Sequence, residues 1–180
     1  MTLLLLIAAL QADSASFAIR DFPFASGETL PVLRLHYLTL GRLRRDAGGS
    51  ARNAVLILHG TGGSGSQFLS PLFAGELYGP GQPLDTTTHY LILPDNLGHG
   101  RSSKPSDGLK ARFPHYTYGD MVAAQYRLVT DGLHVDHLLL VIARPWAACT
   151  RGSGRSATPT SWTESCRSPA LPRRSPAGTG

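Results

Sequence analysis

Ala54-Val-Leu-Ile-Leu-His-Gly-Thr-Gly-Gly-Ser-Gly65 is the stretch on which the fold turns. Five apolar residues without alternation run straight into His59-Gly60 and a glycine-rich turn. An unbroken apolar run of this length predicts a strand buried on both faces, the kind found in parallel sheets. The glycines allow positive φ and let the backbone come close to a neighbouring group.

Working outward, two further runs have the same character. Tyr90–Leu93 leads into Pro94-Asp-Asn-Leu-Gly-His-Gly-Arg-Ser-Ser103, and His137–Ile142 carries Leu-Leu-Leu-Val-Ile after its histidine. Before the first of them, Gln67–Tyr78 is loosely helical and Gly79-Pro-Gly81 stops it. Before the second, Lys104–Pro114 reads as a loop, and Thr117 with Asp120 resembles a capping box with Asp in place of Glu. Met121, Val122, Gln125, Leu128, Val129 and Leu133 then recur at helical spacing, with Gly132 near the end. Near-continuous apolar strands separated by helices predict an α/β fold with a parallel, helix-covered sheet. Upstream, Phe17–Phe24 and Leu33–Thr39 read as an edge hairpin with one wet face, Leu33, Leu35 and Tyr37 opposing Arg34, His36 and Leu38. Arg42–Arg52 is a polar loop whose charges are solvated.

Charge and composition divide the chain. Residues 144–180 hold six Arg and one Glu, so the net charge of +5 belongs to this tail, and residues 1–143 are neutral. Leu171 is the tail's only Leu, Ile, Val or Phe; a segment so poor in apolar residues is expected to be disordered. Cys149 and Cys166 give no disulfide framework and match no zinc spacing. Leu3–Leu10 is too short to span a bilayer. Together with the small residues near Ala15 it reads either as a signal peptide lacking a positive n-region or as a disordered N-terminus, which leaves both a cytoplasmic and an exported protein open. The expected division is therefore 1–15, a domain over 16–142, and a tail over 143–180.

Several motifs, taken in order, are specific. They are Ser26-Gly-Glu-Thr-Leu-Pro31, Tyr37-Leu-Thr-Leu-Gly41, Asn53-Ala-Val-Leu-Ile-Leu-His-Gly60 and Gly79-Pro-Gly-Gln-Pro-Leu-Asp85. Tyr90-Leu-Ile-Leu-Pro-Asp-Asn-Leu-Gly-His-Gly100, Ser102-Ser-Lys-Pro-Ser-Asp-Gly108 and Asp120-Met-Val-Ala-Ala-Gln125 continue the series. From about Phe17 to Ile142 the chain resembles the homoserine O-acetyltransferase family of α/β-hydrolases. His59-Gly-Thr-Gly-Gly63 replaces the His-Ala-Leu-Thr-Gly of that family's acetyltransferases, and Leu97-Gly-His-Gly-Arg-Ser102 looks more like general esterases. The resemblance implies the N-terminal part of an α/β-hydrolase fold and acyl transfer through a serine acyl-enzyme, with a small ester or an acyl-CoA and an alcohol as substrates. It implies no cofactor, metal or nucleic-acid partner. It also implies that the Thr61 backbone N–H is an oxyanion donor, with Gly60 and Gly62 letting the loop approach.

That family's fifth strand should run into Gly-x-Ser-x-Gly-Gly, the turn that exposes the nucleophile. Here Val141-Ile142 is followed by Ala-Arg-Pro-Trp-Ala-Ala-Cys149. Written ATC-GCA-CGT-CCA-TGG, Ile142–Trp146 becomes Ile-Gly-Thr-Ser-Met on insertion of one G, and the following codons permit Gly-Gly-Met. With synonymous bases chosen to fit, the same shift permits an apolar, globular sequence over Thr158–Gly180. The expectation is a reading frame displaced after Ile142, a lost nucleophile and an inactive chain; the alternative is a non-catalytic truncated product.

Other motifs read as structural. His59 precedes the turn and is expected to hydrogen-bond within it. Gly60-x-Gly62-x-x-Gly65 matches a dinucleotide fingerprint, but Asp85 precedes the next strand where such a site needs an acid at its end. Asp95 and His99 belong to a structural loop, and His134-Val-Asp-His137 to a solvated connection.

Overall fold

The computed structural model describes residues 11–143. Two long strands open it, β1 (Asp13–Pro23) and β2 (Thr29–Leu40). Then come β3 (Ala54–Leu58), α1 (Pro71–Leu77), β4 (Tyr90–Pro94), α2 (Tyr118–Arg127) and β5 (Leu140–Ala143). The strands form one sheet in the order β1-β2-β4-β3-β5. β1, β2 and β4 pair antiparallel, whereas β3 is parallel to both β4 and β5. The expected α/β architecture is present, with the hairpin joined to its parallel part. The predicted disordered tail lies outside the described residues.

β3 is central among the parallel strands, and all five of its residues are buried, as an unalternated run requires. Its two faces serve different layers. Val55 and Ile57, with Leu91 and Leu93, meet Phe68, Ala74 and Tyr78 from the α1 side. Leu56 and Leu58, with Ile92, meet Val122 and Val129 from the α2 side. The α2 side also packs on the hairpin: Met121, Ala124 and Leu128 cover Ile19, Phe22, Leu33 and Leu35.

Local structure departs from the sequence reading in several places. β1 starts at Asp13, so Asp13–Ala15, placed with the N-terminal segment, pair with Thr39, Leu38 and Tyr37. β2 is not a wet-faced strand throughout. Its second half pairs with β4, so His36, Leu38, Thr39 and Leu40 are buried and the alternation breaks. The helical stretch before Gly79 is a 3-10 turn, Gly65–Leu69, followed by α1. The helix after Thr117 ends at Arg127 and loosens into a π turn, Leu128–Gly132. β5 is shorter than His137–Ile142 and is not buried on both faces as expected: it is an edge strand of the described sheet, exposed at Leu140 and half-buried over Val141–Ala143, with Leu140 opposite Val55.

The capping box is real and does more than cap. Asp120 Oδ2 accepts from the Thr117 N–H (2.7 Å), while Oδ1 accepts from the Ala25 N–H (2.8 Å). One carboxylate therefore closes the start of α2 and ties it to the β1–β2 turn.

Gly65 lies hard against the backbone of β4. A Cβ there would lie 2.3 Å from the Leu93 carbonyl oxygen. Gly65→Ala is expected to lower stability by about 2 kcal/mol, since the clash is with backbone that cannot rotate away. A urea midpoint equal to that of the parent would show that the turn shifts freely.

Candidate active site

The site grows from the end of β3. Beyond Leu58 the chain turns through Gly60–Gly63, closed by a hydrogen bond from the Gly63 N–H to the Gly60 carbonyl (3.0 Å). Gly62, at φ +72°, supplies the positive φ that the third position of a type II turn needs. Thr61 holds the second position and is exposed, with Gly60 half-buried beside it and Gly62 exposed. Thr61 opens on a cleft of about 440 Å³ lined also by His99, Tyr116, Thr117, Tyr118 and Met121. The cleft lies beyond the carboxyl ends of β3 and β4, where open α/β sheets bind ligands.

His59 fixes the turn from below. It is fully buried. Its Nε2 accepts from the Asn96 N–H (2.9 Å), which leaves Nδ1 as the protonated nitrogen, donating to the Gly60 carbonyl (2.8 Å). Burial holds its pKa below the ordinary 6.5; the Gly60 bond and the Asp95 charge pull upward without overcoming it, and nearby His99 adds to the depression. A neutral ring with both nitrogens engaged is a brace, as the sequence reading expected, and has no lone pair left for a substrate proton. Asn96 is held in turn by the Gln125 side chain of α2, so β3, the β4 loop and α2 converge on the Gly60–Gly63 turn.

Most of this chain is similar to a part of several known proteins. A homoserine O-succinyltransferase of Aromatoleum aromaticum is 35% identical over 153 residues, covering 76% of this chain and 39% of that protein. A homoserine O-acetyltransferase of Thermobifida fusca is 34% identical over 146 residues, covering 73% of this chain and 35% of that protein. This chain belongs to the homoserine O-acetyltransferase-like α/β-hydrolases. An acetylester hydrolase from Corynebacterium glutamicum shares the fold, with a TM-score of 0.64 and 23% identity over 76% of this chain and 38% of that one. No family model matches the chain. It spans well under half the length of these relatives.

Within this α/β-hydrolase segment the remaining motifs take structural places. Asp95 is not paired with His99. It binds His36 Nδ1 through Oδ2 (2.9 Å), the Gly65 N–H through Oδ1 (2.7 Å) and the Arg101 N–H through Oδ2 (2.8 Å). His99 leans on His59, ring centroids 5.6 Å apart, and its Nδ1 lies 3.1 Å from the Leu97 carbonyl oxygen. Asp85 accepts from the Gly81 and Thr87 N–H groups and so closes a turn, which leaves the dinucleotide reading without its acid. At His134–His137, Asp136 accepts from the Ala51 N–H (2.8 Å) and Arg45 reaches the His134 carbonyl. No three metal-binding side chains cluster among the described residues, and no helix there is long and apolar enough to cross a membrane.

Sequence reasoning misses His36 and the Asn96–Gln125 link. His36 sits in an alternating strand, where the pattern places it on the solvated face. Its only sequence signal is the apolar Leu38-Thr-Leu40 beyond it, which marks where β2 enters the sheet.

Proposed function

We propose that the cleft is an acyl-transfer site, in which the Thr61 backbone N–H stabilises the developing oxyanion and Gly60 and Gly62 let the acyl group approach. The substrates are a small ester or acyl-CoA donor and an alcohol or water acceptor. The observation that carries this reading is the type II turn at Thr61, braced by His59 and opening on a cleft at the carboxyl ends of β3 and β4. The names of the curated relatives, which speak of acyl transfer to homoserine, support an alcohol acceptor of that kind.

The nucleophile of this cleft is absent from residues 11–143 in this reading. We infer that the frame is displaced after Ile142, so that a serine elbow is replaced by Ala-Arg-Pro-Trp146 and the chain as it stands does not turn over substrate at this cleft. Resequencing the genomic DNA across the Ile142 and Ala143 codons is expected to show one additional G or a confirmed deletion against an open second frame. A second frame broken by stop codons overturns the inference.

The frame-restored protein tests the oxyanion role. Proline suits the second position of a type II turn and lacks an N–H. Thr61→Pro therefore keeps the turn and removes the donor. The expected result is a loss of about 10²–10³ in kcat on an acetyl ester, the usual effect of deleting one oxyanion donor. Thr61→Ala, which keeps the backbone N–H, should retain most activity. Equal rates for Thr61→Pro and the parent would overturn the assignment.

A further inference from the structure

Away from the cleft, three side chains form an unbroken hydrogen-bonded line across the antiparallel end of the sheet. Asp95, just past β4, lies 2.9 Å from His36 Nδ1 on β2, and His36 Nε2 lies 3.0 Å from Ser14 Oγ on β1. The carboxylate is held by the Gly65 and Arg101 N–H groups. An ionised carboxylate only accepts, so the His36 nitrogen facing it carries a proton. In a neutral ring Nε2 then holds the lone pair, and the Ser14 hydroxyl donates to it. Asp95 and His36 are 2% and 5% exposed, whereas Ser14 is exposed. The ring is thus locked in the tautomer and orientation needed to take a proton from a hydroxyl that solvent can reach, the relation by which an adjacent base activates a serine.

We propose that Ser14 is an activated nucleophile that small activated esters acylate. Ser14 Oγ attacks the ester carbonyl and its proton passes to His36 Nε2. The bond from the carbonyl carbon to the leaving oxygen breaks, and His36 returns the proton to that oxygen. The products are acyl-Ser14 and the free alcohol or phenol. Ser14 lies on a strand with no glycine turn like Gly60–Gly63 to stabilise an oxyanion, so only an ester with a good leaving group acylates it, and the acyl-Ser14 that forms is an unactivated alkyl ester. The acyl group is therefore retained, and the reaction stops at one equivalent.

The 180-residue protein, incubated with p-nitrophenyl acetate and mapped by peptide mass spectrometry, gives the test. The expected result is acetylation of Ser14 at least tenfold faster than of Ser16, which is exposed two residues along the same strand. Ser14→Ala should remove that modification without changing the urea midpoint. His36→Gln should slow it at least tenfold. Acetylation of Ser14 no faster than of Ser16 overturns the proposal whether or not His36→Gln folds, and so does an undiminished rate in a folded His36→Gln variant. Either result would reduce the line to a staple joining β1, β2 and the loop after β4. Because the cleft takes no part, the outcome is independent of the role given to Thr61.

Discussion

His59→Ala is expected to lower the free energy of unfolding by about 4 kcal/mol, the sum of a core cavity and of buried partners left unsatisfied. The ring is fully buried, and its loss leaves the Asn96 N–H without its partner and the Gly60 carbonyl with the Gly63 N–H alone. Domains of this size have roughly 5–15 kcal/mol to lose, so the variant should be close to unfolding at room temperature. Urea titration followed by circular dichroism measures the change. A loss under about 1 kcal/mol would mean that the turn keeps its shape without the ring, since that is less than one buried hydrogen bond left unmade. Proton linkage gives a second readout. The pKa of His59 is depressed in the folded state, so below the ordinary 6.5 the unfolded chain binds the proton more readily than the folded one. Its contribution is complete above pH 6.5 and is lost as pH falls through the lowered folded value. In His59→Gln that part of the pH dependence should vanish. The depressed carboxylates Asp46 and Asp85, which titrate in a more acidic range, should be unaffected.

Asp95→Ala should be at least as damaging, at about 5 kcal/mol, because removing the buried carboxylate leaves several hydrogen-bond donors unsatisfied. Three donors lose their acceptor at once: His36 Nδ1 and the Gly65 and Arg101 N–H groups. Gly100 leaves room for this carboxylate, since a Cβ there would lie 2.3 Å from Oδ2. Asp95→Asn should be milder, as one oxygen remains, but its amide group must face a donor. Differential scanning calorimetry of the two variants measures the order. If Asp95→Ala melts with the parent, the charge is not what holds the β4 loop. The half-buried Asp46, ion-paired with the exposed Arg52 and accepting from the Gly48 and Ser50 N–H groups of a surface loop, is the contrasting case: water can replace it at those groups, and Asp46→Ala should lower the melting temperature far less than Asp95→Ala.

The parts of the fold legible in the sequence are those set by a run or a period. Ala54–Leu58 and Tyr90–Leu93 announce buried strands because neither face is wet. The residues from Met121 to Val129 announce a helix because their spacing keeps one side apolar. Features set by a partner elsewhere in the chain are not legible. Asp13-Ser-Ala-Ser16 has no apolar signal, and it is a strand because β2 offers it a ladder. Leu138 and Leu139 are as apolar as Leu140–Ile142, yet the ladder of β5 starts at Leu140, opposite Val55, with Leu139 joined to β3 only through its N–H bond to the Ala54 carbonyl. In the site, the glycine turn is visible at once, and His59 can be placed within it. The long-range bonds to Asn96 and from His36 to Asp95 join residues 37 and 59 positions apart, beyond the reach of local pattern.

The central place of β3 also sets how the amide protons of this protein should trade with deuterium. β3 is flanked by β4 on one side and β5 on the other, and every side chain it carries is out of water. Its ladder amides can meet solvent only when neighbours on both sides separate and the packing on both faces opens. Their exchange therefore reports the opening of the whole domain, whereas β1, an edge strand with mostly exposed residues, releases its protons through small local excursions. The slowest deuterons to enter Val55–Leu58 thus measure the stability of the domain directly, without denaturant or ligand.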